Sequence, residues 1–252
     1  MKQSLSTDSR FKNLKIAITG AKGSLGQSLI DQLKKKGAYV AGLTHSKKEE
    51  VISTKSTPDE WIIWSCGKEK LLSKKLNDFD ILILNHGFNP KSLFDSYSVN
   101  KTIEINSLSY WRLIQIFEDT TQKSSNNDAK RFKPKEIWVN TSEAEIQIAF
   151  SPAYEITKRL TGEIVSLKKS NLLIEKSNSL VLKKLIIGPF KSKLNPQGVM
   201  NPDFVAKQVI KRAEKNKYLI IVTPNPLTYL IMPIVELSRI LYSRFIKKIY
   251  EK

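Results

Sequence analysis

Cysteine is nearly absent from this chain of 252 residues: Cys66 stands alone, so no internal disulfide can form and the fold has to be held by its core. Two histidines, His45 and His86, are too few for most metal sites. Both shortages fit a reducing compartment, and a cytoplasmic protein is the expectation. No run of about twenty apolar residues offers a membrane span, and Met1 to Lys15 lacks the apolar core of a secretory signal. No internal repeat of the kind that marks solenoids is present. The length suits one large α/β domain, with no second domain in view.

Acidic residues are outnumbered, giving a formal net charge of +18. The excess is spread over Lys34 to Lys36, Lys47-Lys48, Lys74-Lys75, Lys168-Lys169, Lys183-Lys184 and Lys247-Lys248, in many different predicted elements. No arginine-aromatic RNA-binding motif accompanies it, so the pattern reads as a lysine-rich solvated surface and no nucleic acid is expected. Attraction to anionic cofactors or to an anionic membrane surface fits the same charge.

The most informative stretch is Ile16-Ala17-Ile18-Thr19-Gly20-Ala21-Lys22-Gly23-Ser24-Leu25-Gly26. Its β-branched residues suit a buried strand, and Leu25, Leu29, Ile30 and Leu33 recur at helical spacing behind the turn. Gly20 permits the tight turn, Gly23 lets backbone approach a pyrophosphate and Gly26 lets helix and strand pack closely, so the stretch reads as a nucleotide cradle at a helix start. Ala38 to Leu43 is a second strand. The position after such a strand commonly holds an acid that bonds the adenosine ribose, but here Thr44, His45, Ser46, Lys47 and Lys48 follow. With Lys22 in the turn, this acid-free stretch favours NADP over NAD; the polar loop that it opens continues to Pro58.

Further strands are expected at Trp61 to Trp64, Asp80 to Leu84, Glu136 to Val139, Leu180 to Ile187 and Tyr218 to Val222. Helices are expected at Val99 to Phe117, from Pro152 to about Leu167, and at Pro202 to Glu214, with a polar surface loop over Thr120 to Lys135. Alternating strand and helix with apolar strands predicts a Rossmann-like, doubly wound parallel sheet of about seven strands. Asn85-His86-Gly87 follows the fourth strand, where parallel strands line a ligand crevice; His86 beside a turn glycine is read as structural.

Tyr154 and Lys158 lie four apart on one predicted helix and share a face. A neighbouring ammonium favours phenolate and lowers a tyrosine's pKa, which makes Tyr154 a usable acid or base. Ser142 or Thr141, at the end of the fifth strand, could hydrogen-bond a substrate oxygen. The same spacing occurs at Tyr97 and Lys101, but only Tyr154 follows a strand that ends in hydroxyl residues.

Across about Leu14 to Val222 the chain resembles the short-chain dehydrogenase/reductases. Thr19 to Gly26 looks like their cofactor turn, Asn85-His86-Gly87 sits where they carry Asn-Ala-Gly, and Asn106, Ser142, Tyr154 and Lys158 match their catalytic asparagine, serine, tyrosine and lysine. Gly188 to Ser192 resembles their loop after the sixth strand, with Ser192 where a threonine usually touches the nicotinamide carboxamide. The resemblance implies an NAD(P)(H)-dependent oxidoreductase acting between a carbonyl and a hydroxyl. Tyr154 would exchange the proton, Lys158 would hold the nicotinamide ribose and lower the tyrosine pKa, Ser142 would orient the carbonyl and Asn106 would hold a relay water. NADP(H) is favoured and NAD(H) is possible, with a small-molecule substrate and a homo-oligomer as assembly. The chain departs from the pattern in four places: the turn has its middle glycine at Gly23 with Ser24 following, a spacing more like the family's extended branch of epimerases and dehydratases, whose longer C-terminal substrate region is lacking here; Ser142 lies twelve residues before Tyr154; Ile187 stands where proline is usual; and Lys191 to Asn201 is short for a substrate lid.

A narrower resemblance rests on Asn140-Thr141-Ser142-Glu143-Ala144-Glu145-Ile146, Gly188-Pro189-Phe190 and Thr223-Pro224-Asn225-Pro226-Leu227-Thr228-Tyr229. These look like the reductase half of proteins that join such a domain to a sterol desaturase or fatty-acid hydroxylase-like membrane domain, and they imply a lipid-like substrate. Residues 1–13 read as an N-terminal extension, 14–225 as the NAD(P)-binding domain and 226–252 as an apolar-basic helix. That helix, kinked or interrupted at Pro233, suits core packing, a neighbouring subunit or peripheral contact with a membrane. The rival class is a non-catalytic NAD(P)-binding module that senses redox state or docks on a membrane partner.

Overall fold

Strand residues alternate between two cores, which is why a nearly all-apolar strand such as Ile81-Leu82-Ile83-Leu84 can sit at the centre of the molecule. In this computed structural model, which describes residues 9–45, 55–90, 95–125, 134–175, 177 and 180–250, Ile81 and Ile83 join one hydrophobic cluster and Leu82 and Leu84 the other. The strands are β1 (Lys15–Thr19), β2 (Tyr39–Thr44), β3 (Glu60–Ile63), β4 (Ile81–Leu84), β5 (Lys135–Ser142), β6 (Leu180–Ile187) and β7 (Leu219–Val222). They form one parallel sheet in the order β3-β2-β1-β4-β5-β6-β7, so the predicted seven-stranded, doubly wound architecture is present. Strand order reverses between β1 and β4, the crevice where such sheets take their ligands.

Helices α1 (Ser24–Lys35) and α6 (Pro202–Ala213) cover one face, through Leu25, Leu29, Val205 and Val209. The short α2 (Ser73–Leu76), α4 (Ser109–Ser125) and α5 (Pro152–Ile174) supply Leu76, Leu113, Phe117 and Val165 to the other. Helix α3 (Ser96–Ile103) runs into α4 through a π turn over Glu104–Leu108. The sequence expectation of one helix from Val99 to Phe117 therefore needs three corrections: it starts at Ser96, carries the π turn and continues to Ser125 into the stretch read as loop. Thr120 and Thr121 bond back to Phe117 O and Glu118 O within the helix, which lets this polar segment remain helical. The rest of that loop, 126–133, lies outside the described residues, as does the 46–54 segment with Lys47 and Lys48.

Ahead of β1, Phe11 is fully buried against Trp138, and Arg10 pairs with Glu136 at 2.8 Å. The lysine pair Lys183-Lys184 corrects the reading of a uniformly solvated lysine surface: both side chains are 0% exposed. Successive strand residues face opposite sides of the sheet, and each lysine meets its own partners there. Lys183 donates to Asn216 Oδ1 at 2.7 Å, and Lys184 pairs with Glu145 at 2.9 Å and Glu236 at 2.7 Å. Helix α7 (Pro226–Tyr250) passes through Pro233 without interruption, losing one backbone donor while Met232 is anchored against Ile186 and Ile221. Among the described residues no helix is long and apolar enough to cross a membrane.

Candidate active site

The turn from β1 to α1 is shaped by backbone crowding. Gly20 has φ of 63°, and a Cβ there would lie 2.7 Å from His86 Cα; one at Gly26 would lie 2.3 Å from Gly20 O. Gly23 caps α1 and donates to Gly20 O at 3.0 Å, and Gln27 Nε2 ties the turn through Ala21 O at 2.9 Å. Ser24 and Leu25 open the helix, with Leu25 buried and Lys22 half-buried in the turn. At the end of β2, Thr44 is buried and His45 is exposed.

One residue of the motif also organises the neighbouring loop, a role that its place in the motif does not show. Thr19 Oγ1 accepts the backbone N–H of Asn85 at 2.9 Å, lies 2.8 Å from His86 Nδ1 and donates to Ile83 O at 3.3 Å. The His86 ring packs edge-on against Trp64 and tilted over Tyr110, and Tyr110 donates to its carbonyl at 2.6 Å. Burial, aided by the nearby Lys158 charge, pushes the His86 pKa down to about 3, so the ring is neutral at physiological pH. Asn85 accepts from Asn140 Nδ2 at 2.9 Å, which links the segment after β4 to β5.

The π turn places Asn106 in the interior, fully buried. Its side chain accepts from Phe88 N at 2.8 Å and donates to Phe88 O at 2.8 Å and Thr157 Oγ1 at 3.1 Å. An extra residue in the helix turn is a common way to aim a polar side chain at a site. Here Asn106 clamps the segment after Gly87 to α5, and Gly87 itself packs against the Asn106 amide.

At the end of β5, Ser142 and Thr141 part company because strand side chains alternate. Thr141 donates to Leu185 O at 3.1 Å on β6, whereas Ser142 faces Tyr154, whose pKa it lowers, and accepts from Ala144 N at 3.2 Å. Ser151 caps α5 and Pro152 starts it, so Tyr154 sits in the first turn and Lys158 one turn on. Lys158 is buried; its Nζ donates to Asn140 O at 3.1 Å and lies 5.5 Å from the Tyr154 ring centre and 5.6 Å from that of Tyr110. Burial pushes the lysine down to about 8, opposed by the charge of Glu145.

The tyrosine differs from the sequence expectation. Burial raises its pKa, and the group that opposes the rise is Ser142 rather than Lys158. The second pair with the same spacing, Tyr97 and Lys101, hydrogen-bonds at 3.3 Å but stands on an exposed face of α3 with Tyr97 71% exposed. Spacing alone does not separate the pairs; burial beside a strand-end hydroxyl does.

Gly188 lies against Thr223 at the ends of β6 and β7. Ser192 is turned into its own loop, where its hydroxyl accepts from Asn195 N at 3.0 Å, so the structure does not bring it to Tyr154. The turn after Ser142 is fastened to the start of α7: Glu143 accepts from Thr223 at 2.5 Å, and Gln147 bonds Thr228 at 2.8 Å and Asn225 at 3.0 Å. Two of the motifs behind the narrower resemblance thus meet in space.

No protein-family model matches the chain. Over 247 residues, 97% of its length, it is 39% identical to a monoglucosyldiacylglycerol epimerase from Synechocystis sp., and it spans 58% of that protein. Among solved structures, a short-chain dehydrogenase from Burkholderia cenocepacia in complex with NADP matches with a TM-score of 0.72 at 14% identity, over 88% of this chain and 92% of that one. A short-chain dehydrogenase from Sphingobium yanoikuyae in complex with NADPH gives 0.70 at 15% identity, covering 90% and 93%. One from Leptospira borgpetersenii with bound NAD+ gives 0.70 at 16%, covering 88% and 95%. At these identities the structures share a fold with the chain.

Proposed function

We propose that this chain, a short-chain dehydrogenase/reductase in fold, is a nicotinamide-dependent oxidoreductase that interconverts a hydroxyl and a carbonyl on a lipid-like substrate. The observation that carries the reading is Tyr154 held beside the Ser142 hydroxyl and the buried Lys158 ammonium, across the strand-order switch from the glycine turn. The turn suits a dinucleotide, since its backbone is packed too closely for side chains at Gly20 and Gly26 and opens onto the start of α1. Gly20, Lys22, Gly23, Ser24, Leu25 and Gly26 would hold the pyrophosphate side, Thr44 and His45 the adenosine ribose, and Asn85, Gly87, Gly188 and Lys158 the nicotinamide side. The absence of an acid after β2 supports NADP over NAD.

A bound nicotinamide supplies or accepts the hydride. Tyr154 moves the proton at the substrate oxygen, and the Ser142 hydroxyl, whose single proton favours the phenolate while it faces Tyr154, would turn to that oxygen when substrate binds. Lys158, with Asn140 O fixing its ammonium, adds positive charge beside the phenol. Asn106 is assigned a positioning role, because its amide is taken up by Phe88 and Thr157.

The epimerase relative favours a specific form of this chemistry: the two half-reactions at one sugar carbon, with oxidation of the hydroxyl followed by reduction of the ketone from the other face. That sequence consumes no net cofactor. The test is to incubate the protein with a monoglucosyl diacylglycerol and NADP or NAD, following nicotinamide absorbance and the sugar's configuration together. Inverted sugar without net absorbance change is expected; accumulating reduced cofactor would assign simple dehydrogenation instead. Sustained cofactor binding with neither product, on this lipid or on a panel of carbonyls and alcohols, would favour the non-catalytic module.

A further inference from the structure

We propose that the rim of this site is a docking surface for an anionic lipid bilayer. Three segments follow β5, β6 and β7 at the carboxyl edge of the sheet, where the site opens. The segment after β5 carries Ile148 and Phe150, which are 93% and 103% exposed and so make almost no contact with the rest of the chain. The segment after β6 exposes Leu194 and Val199, and the first turns of α7 expose Leu227 and Leu230. Single exposed apolar residues need no explanation, but six around one edge mark an interaction surface.

The segments form one surface. Gln147 joins the first to the third through Thr228 and Asn225. The second closes on itself, with Lys191 N donating to Met200 O at 2.9 Å, and stands beside the third where Gly188 meets Thr223. Helix α7 continues the apolar face away from the rim, and its one carboxylate, Glu236, is turned inward onto Lys184.

Charge selects the occupant. Residues 146–151, 188–201 and 223–235 contain no Asp or Glu, while Lys191 and Lys193 stand exposed among the apolar side chains. A second copy of the chain would bring lysine against lysine at this rim. An anionic bilayer accepts both features, taking the apolar side chains into its interface and the ammonium groups at its headgroups. Phe150 lies four residues before Tyr154, so a lipid held in that bilayer would meet the site at its mouth; this last step rests on the function proposed above, whereas docking rests on the surface alone.

The experiment is flotation of the full chain with vesicles of phosphatidylcholine, with and without phosphatidylglycerol, at low and high salt. Binding to the anionic vesicles is expected, with Ile148→Asp/Phe150→Asp abolishing it and Lys191→Gln or Lys193→Gln each weakening it about fivefold. These side chains are exposed, so the core is untouched; Phe150→Trp offers an independent reading, because its fluorescence should be quenched by brominated acyl chains. Absence of binding to both vesicle types, or no added quenching in Phe150→Trp, would overturn the proposal. So would a dimer in sedimentation that Ile148→Asp/Phe150→Asp disperses, since the rim would then belong to a second copy. None of these readouts depends on cofactor or turnover, so catalytic failure and docking failure are told apart.

Discussion

Tyr154→Phe is expected to lower turnover by about 10²–10⁴-fold, the contribution of a positioned acid-base group, while nicotinamide binding stays nearly unchanged. The ring keeps its place in the first turn of α5 and loses only the oxygen that Ser142 faces. Wild-type activity is expected to decline as pH rises above about 8, where Lys158 gives up its proton and the ammonium beside the phenol is lost. Steady-state rates across pH, paired with cofactor titrations of both proteins, provide the check. Loss of cofactor binding together with turnover would make Tyr154 a structural residue.

Lys184→Met is expected to be among the most destabilising single changes in the chain. The ammonium is enclosed by Glu145 at 2.9 Å, Glu236 at 2.7 Å, Ser166 Oγ at 3.1 Å and Gly162 O at 3.0 Å. Arg239 of α7 reaches the same Glu145 oxygen at 2.7 Å, and Tyr218 donates to Glu236 at 2.5 Å. One buried cation thereby fastens β6, α5, α7 and the turn after Ser142 to one another. Removing it leaves two buried carboxylates with diminished compensation, a cost of about 3–5 kcal/mol and a fall in melting temperature on the order of 10 °C. Restoring the charge balance with Glu236→Gln in the same chain, which leaves Glu145 to Arg239, should recover part of the loss. A measured cost below about 1 kcal/mol, the range of exposed pairs, would mean that the network does not hold α7 in place.

This network also marks where sequence reading stops. The glycine turn from β1 to α1 and the central strands are legible because their signals are local: glycines at fixed offsets before a helical repeat, and apolar runs the length of a buried strand. The pairing of Tyr154 with Lys158 was legible for the same reason, as was the hydroxyl at the end of β5. Lys183 and Lys184 were misread because their partners are distant in the chain; Glu145 and Glu236 lie on either side of Lys184 in sequence and only the fold brings them together. The role of Thr19 is not carried by the glycine offsets; it rests on a hydroxyl at a strand end that faces the segment after β4. The π turn around Asn106 leaves no periodic mark over a single extra residue. The direction of the Tyr154 shift depends on burial, which spacing does not report.

Calorimetric titration of the purified protein with NADPH and, separately, NADH bears most directly on whether the glycine turn is a dinucleotide cradle. Saturable binding of both, with NADPH the tighter, is the expected result and would tie the acid-free end of β2 to cofactor choice. If neither binds, the turn between β1 and α1 is a packing feature only, and Tyr154, Ser142 and Lys158 have no hydride chemistry to serve.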